Sequence, residues 1–136
     1  ETDNSDYFIY KYNLSKRHQK RIKDIDNFYK EKINSKTFTK NNINKIFYFY
    51  GKEATLDILN YRVIKLKKID NSLLELIKYY ENNIVPTMPV SADLLMKKYE
   101  IPEGKQLGEK LRIIEKEWVK NNFKISDQEV DNIINN

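Results

Sequence analysis

The 136-residue sequence contains no cysteine, which excludes a disulfide framework and any thiolate metal site. Its single histidine, His18, excludes every mechanism or metal site that needs two. His18 also lies among basic residues with no acidic partner at helical spacing, so it reads as an exposed helix residue. Three glycines and three prolines are too few for a collagen-like, Gly-rich or Pro-rich disordered chain. No apolar run approaches the roughly 20 residues of a membrane-spanning helix, so no membrane partner is expected. No signal peptide is visible, and a start at Glu1-Thr2-Asp3 without methionine is read as the mark of an excised fragment, cytoplasmic in setting. Also missing are a Gly-rich phosphate loop, a nucleophile elbow and closely paired carboxylates for two-metal catalysis. Glu115 and Glu117 are near in sequence but fall on different helix faces. The reading therefore assigns no catalytic residue, no metal ligand and no cofactor to the chain.

What is present is lopsided. Lys, Ile, Asn and Tyr make up roughly half of the residues, the mark of an AT-rich genome. Of 25 basic residues 21 are lysine; the net charge is +5 and the pI about 9.2. A basic balance is compatible with a polyanionic partner, but codon bias inflates lysine as well, so overall charge decides little. The apolar fraction of 40% is enough for a core.

Hydrophobic periodicity is helical almost throughout, and no strand signal is convincing. Residues 1–13, with Tyr7, Phe8, Ile9, Tyr10 and Tyr12, read as an extended segment or linker. Ser15 can cap a helix to about Ile33 with Ile22, Ile25, Phe28 and Tyr29 on one face. Its outward residues Lys16, Arg17, Lys20, Arg21 and Lys23 form either a solvated face or a phosphate-contacting one. Thr39 can cap a second helix that Gly51 stops, with the aromatic run Ile46–Tyr50 assigned to the core. A third helix over 53–68 carries apolar residues on so much of its circumference that it belongs at the centre of a bundle. A fourth over 71–83, capped by Asp70 or Asn71, presents Leu73, Ile77, Tyr80 and Ile84.

All three prolines and two of the three glycines then fall between 86 and 108, the one punctuated stretch. Ser91 can cap a short helix from Ala92 to about Tyr99. After the turn Glu100-Ile101-Pro102-Glu103-Gly104, a long helix runs over 105–121 with Leu107, Leu111, Ile114 and Trp118 as its stripe. Ser126-Asp127-Gln128-Glu129 is a capping box that opens a last helix. The expected fold is all-α: a linker (1–13), a helical body (14–85) and a helical tail with a Pro/Gly hairpin (86–136).

The hairpin has a physical logic of its own. It sets the N-terminus of its second helix at an exposed corner, where the free N–H groups near Lys105, Gln106 and Leu107 form a potential phosphate seat. Gly104 permits close approach there, and Gly108 is read as letting the helix approach a neighbour. Lys97, Lys98, Lys105, Lys110 and Arg112 surround the corner. Such a piece can grip a nucleic-acid backbone without reading sequence. The alternative is a plain helical hairpin that only packs.

Here the sequence resembles a family. Met88-Pro89-Val90-Ser91-Ala92-Asp93-Leu94-Leu95, then Ile101-Pro102-Glu103-Gly104-Lys105-Gln106-Leu107-Gly108, then Leu111 and Glu117-Trp118, is similar to the C-terminal region of bacterial tRNA nucleotidyltransferases (CCA-adding enzymes) and poly(A) polymerases. Upstream, Tyr12-Asn13-Leu14-Ser15-Lys16 and Gly51-Lys52-Glu53-Ala54 with Asp57 resemble the start and a helix junction of that family's body region. Ala92 and Glu100 stand where glycines are usual, and Glu103 and Lys105 where prolines are. The resemblance implies a helical, RNA-binding body and tail that hold tRNA or another RNA from the elbow side. Lys97, Lys98, Gly104, Lys105, Gln106, Lys110 and Arg112 would then be the RNA-binding residues. It also implies a catalytic head in the same polypeptide, carrying Mg2+ and nucleotide, whose motifs this chain lacks. A helical protein–protein module with no RNA role is the competing expectation.

Overall fold

The computed structural model describes residues 5–31 and 33–136. Among these the chain is all-helical, without a strand. Eight α-helices follow one another: α1 (Ser5–Tyr12), α2 (Lys16–Tyr29), α3 (Lys40–Tyr50), α4 (Lys52–Lys65), α5 (Asn71–Asn82), α6 (Ala92–Tyr99), α7 (Lys105–Lys120) and α8 (Asp127–Ile134), with a 3-10 turn over Ser35–Phe38 before α3. The contacts divide into two compact units. One takes the described residues up to Thr39 together with Ile46–Val85; the other takes Lys40–Lys45 and Pro86–Asn136.

Polar side chains punctuate the helices. Ser15, Asp70, Ser91 and Ser126 each accept a hydrogen bond from a first-turn N–H of the helix they precede. At Ser126 the bond is reciprocated by Glu129, which closes the capping box. Gly51, at φ 92°, ends α3 and begins α4 in a backbone conformation that suits glycine.

In the first unit α4 packs against both α2 and α5, so its N-terminal half is central, with Ala54, Thr55, Ile58 and Leu59 buried. Tyr29 donates its hydroxyl to the Ile58 carbonyl at 2.8 Å while its ring meets Tyr61 and Phe38. Phe47 and Tyr80, both fully buried, pack at 4.8 Å between ring centroids. Burial pushes both Tyr29 and Tyr80 well above the usual phenol range.

Four expectations change. Residues 5–12, expected as linker, are helix α1; Phe8 and Tyr12 pair their rings at 4.7 Å one turn apart, and Asp6 and Lys11 sit at the ends the helix dipole favours. The aromatic run is only partly core: Phe47 is buried, but Phe49, on the far side of the helix, is 57% exposed, and Tyr50, the last residue of the helix, is 61% exposed. The C-terminal half of α4 is not central, since Val63 and Ile64 face outward. Ile84 lies beyond the end of α5 and is exposed rather than part of its buried face.

In the second unit Leu95, Ile101, Leu107, Ile114 and Val130 form one buried cluster, joined at its edges by Met96, Tyr99, Leu111 and Ile133. α7 packs against α6 and α8. It ends at Asn121, after which Asn122 and Phe123 take left-handed conformations. The Phe123 N–H donates to the Trp118 carbonyl at 2.8 Å and the two rings touch edge to face. Asn44 is fully buried and donates to the Asn122 side chain at 2.8 Å, satisfying two amides that would otherwise cost stability.

Candidate nucleic-acid interface

The corner between α6 and α7 is built around one buried anchor. Ile101 inserts into the core cluster, and the residues on its C-terminal side, Pro102 to Gln106, are all exposed. Glu100 ends α6 in the left-handed region, at φ 56° and ψ 30°. Gly104 precedes α7 at φ 152° and ψ −165°, a region essentially reserved for glycine. No side chain caps α7 at Gly104. The N–H groups of its first turn have no partner inside the helix, so they face the open corner as hydrogen-bond donors. A Cβ at Gly104 would meet nothing within 4 Å; its conformation, not crowding, calls for glycine.

Gly108 differs from expectation. It is exposed, and a Cβ there would also meet nothing within 4 Å, so it does not mediate close helix packing. Leu107 and Leu111 carry the contact instead, from the adjacent face of the helix.

The cations of this region divide into two groups. Lys105 is 91% exposed, with its ammonium 3.9 Å from Glu109, a loose pair one turn on. Lys97, Gln106 and Arg112 are exposed, and no ion pair engages Lys97 or Arg112 among the described residues. Lys110 and Lys98 serve the unit's own fold. The Lys110 ammonium donates to the carbonyl of Ile133 at 2.9 Å, at the C-terminal end of α8 where cations are favoured. Lys98 lies over the Tyr99 ring at 5.1 Å and 4.0 Å from Asp131, whose carboxylate accepts the Tyr99 hydroxyl. Hydrogen bonding to Tyr99 raises the Lys98 ammonium, and hydrogen bonding to Asp131 raises the Tyr99 phenol. Of the seven residues the sequence singled out, Lys97, Gly104, Gln106 and Arg112 are exposed without an ion pair among the described residues, Lys105 is exposed with only the loose Glu109 pair, and Lys98 and Lys110 are engaged.

The basic face of α2 is also resolved. Arg17 meets Glu53 at 2.9 Å, and Arg21 makes a two-pronged pair with Asp57 at 2.8 and 2.9 Å while reaching Glu53 at 3.0 Å. Lys20 binds Asp24 at 2.7 Å, and Lys23 binds Asp6. Four of its five cations thus join α2 to α1 and α4 or to itself. The carboxylates of Glu53 and Asp57, one turn apart on α4, are committed to arginines. Among the described residues no three His, Asp or Glu side chains converge on a point.

Sequence reading passed over a second basic cluster, Arg62, Lys65, Lys67 and Lys68, at the end of α4 and in the bend that follows. Its signal was there: no acidic residue occurs between Asp57 and Asp70. No helix of the described residues is long and apolar enough to cross a membrane. No family model, no curated protein and no solved structure matches the chain.

Proposed function

We propose that this chain is an RNA-binding body-and-tail module of a tRNA nucleotidyltransferase or poly(A) polymerase, holding tRNA by its phosphates and shape for a catalytic head elsewhere in the polypeptide. The observation that carries the reading is the α6–α7 corner. Gly104 leaves the first turn of α7 without a side-chain cap, Lys105 is exposed beside it with only a loose pair to Glu109, and Lys97 and Arg112 are exposed nearby. Backbone amides at a helix N-terminus together with mobile cations suit phosphate oxygens and carry no base preference. The work is geometric: a rigid helical unit fixes the distance between the gripped part of the RNA and its 3′ end. Mg2+ and nucleotide would belong to the head. Charge reversal at Lys97, Lys105 and Arg112 is expected to weaken tRNA binding several-fold at low salt, measured by fluorescence anisotropy on the 136-residue chain. Unchanged affinity would refute this corner as a contact.

One observation favours the second reading, a protein–protein module. Residues 86–136 hold eight basic and nine acidic side chains, so the tail as a whole is not positive. On that reading the chain shows no salt-sensitive affinity for tRNA at all.

A further inference from the structure

The surplus charge of the chain lies outside the tail. Residues 1–85 hold 17 of the 25 basic and 11 of the 20 acidic side chains. Codon bias acts on the whole gene alike, so it does not explain why one half is strongly positive and the other balanced. Within the positive half, the cations of α2 are mostly spent on Asp6, Asp24, Glu53 and Asp57. The corner between α4 and α5 differs. Arg62, Lys65, Lys67 and Lys68 fall within seven residues, and none has an ion-pair partner among the described residues. Arg62 lies over the Phe38 ring at 4.9 Å and Lys65 over Tyr61 at 5.4 Å, contacts that steady the side-chain stems and leave the charges uncompensated. Lys67 and Lys68 are exposed in the bend. The next acid, Asp70, caps α5, accepting from the Leu73 N–H at 3.2 Å; it keeps its own charge beside Lys67 and Lys68, one carboxylate against four cations. Lys67 and Lys68, with Asp70, themselves line a cavity of about 200 Å³ whose other walls include Val63, Leu66 and Leu73.

We propose that this α4–α5 corner is a second RNA-backbone contact and the stronger of the two, with Lys65, Lys67 and Lys68 on consecutive phosphates and the cavity available to an unstacked nucleotide. The inference rests on the RNA-binding reading above. It follows from where uncompensated charge is concentrated, because phosphate contacts dominate affinity through counterion release. An unpaired RNA strand supplies both the charge and a base face able to leave its stack. An acidic amphipathic helix would match the same features with fewer charges.

The test compares two sets of substitutions in the 136-residue chain, using fluorescently labelled tRNA and a titration of monovalent salt. K65Q/K67Q/K68Q is expected to lower affinity at least about tenfold at low salt and to flatten the dependence of log K on log salt by about 2, at roughly 0.7–0.9 for each phosphate left without its lysine. The matching Lys→Arg triple is expected to retain binding. Charge reversal at Lys97, Lys105 and Arg112 is expected to cost less. If the wild-type chain binds tRNA and the glutamine triple, folded by circular dichroism, binds equally well, the inference is wrong while the RNA reading stands. If the wild-type chain binds no tRNA, both fall. If the triple loses binding only to a synthetic acidic amphipathic peptide and not to tRNA, the corner is a protein-docking site and the inference is overturned.

Discussion

Glu100 occupies the left-handed region at the end of α6, where a Cβ crowds the following carbonyl and glycine is the favoured residue. It is exposed, and nothing in its side chain's surroundings offsets that cost. Glu100→Gly should stabilise the fold by about 0.5–1 kcal/mol, read as a higher urea midpoint. Gly108 is the mirror case. It sits inside α7 with open space around it, where glycine is worth about 1 kcal/mol less than alanine. Gly108→Ala should raise the urea midpoint by a similar step. Lower stability would show that the site requires the absence of a side chain. Both positions show what a sequence can and cannot tell. The glycine-like role of Glu100 was legible only through the family resemblance, in which a glycine is usual at that position. The role of Gly108 was not, because a glycine in a helix looks the same whether it packs closely or faces water.

Among elements, caps and apolar stripes made most boundaries legible. Ser15, Asp70, Ser91 and Ser126 mark helix starts to the residue, since a short polar side chain before an apolar-periodic run has one good use. α1 escaped because its aromatics at 7, 8, 10 and 12 are spread over more than one face instead of forming a single stripe, and it is held by packing on α2 and the Lys23–Asp6 and Ser5–Asp26 contacts. The basic face of α2 was equally ambiguous, because its partners on α4 lie 36 residues away. That ladder makes a pH prediction. The Arg17 guanidinium, hydrogen-bonded to Glu53, holds its carboxyl below the ordinary value of 4.5. A depressed carboxylate stabilises the fold above its unfolded pKa, and the contribution fades as pH falls through 4.5 toward the folded value. Glu53→Gln should therefore be less stable than wild type at pH 7, with the difference in urea midpoint closing between about pH 5 and pH 3. The pair is solvent-exposed, so the gap should be small. A gap that stays constant across this range would contradict the ion-pair account.

For the molecule as a whole, the sequence conveyed the all-helical fold because nearly every long segment repeats its apolar residues at helical spacing. It conveyed the α6–α7 corner because prolines and glycines concentrate there. It did not convey which cations are paired, since that depends on tertiary contact: Lys110 turns to the end of α8 and Lys98 to Asp131, while Lys65, Lys67 and Lys68 make no ion pair among the described residues. The claim that unites these observations is that the chain holds a polyanion through phosphate contacts. The most direct measurement is the affinity of the 136-residue chain for tRNA between about 50 and 200 mM monovalent salt. Log K should fall linearly with log salt, with a slope of about −3 or steeper, as roughly four or more phosphate contacts require. No measurable binding at the low-salt end, or an affinity indifferent to salt, would contradict it.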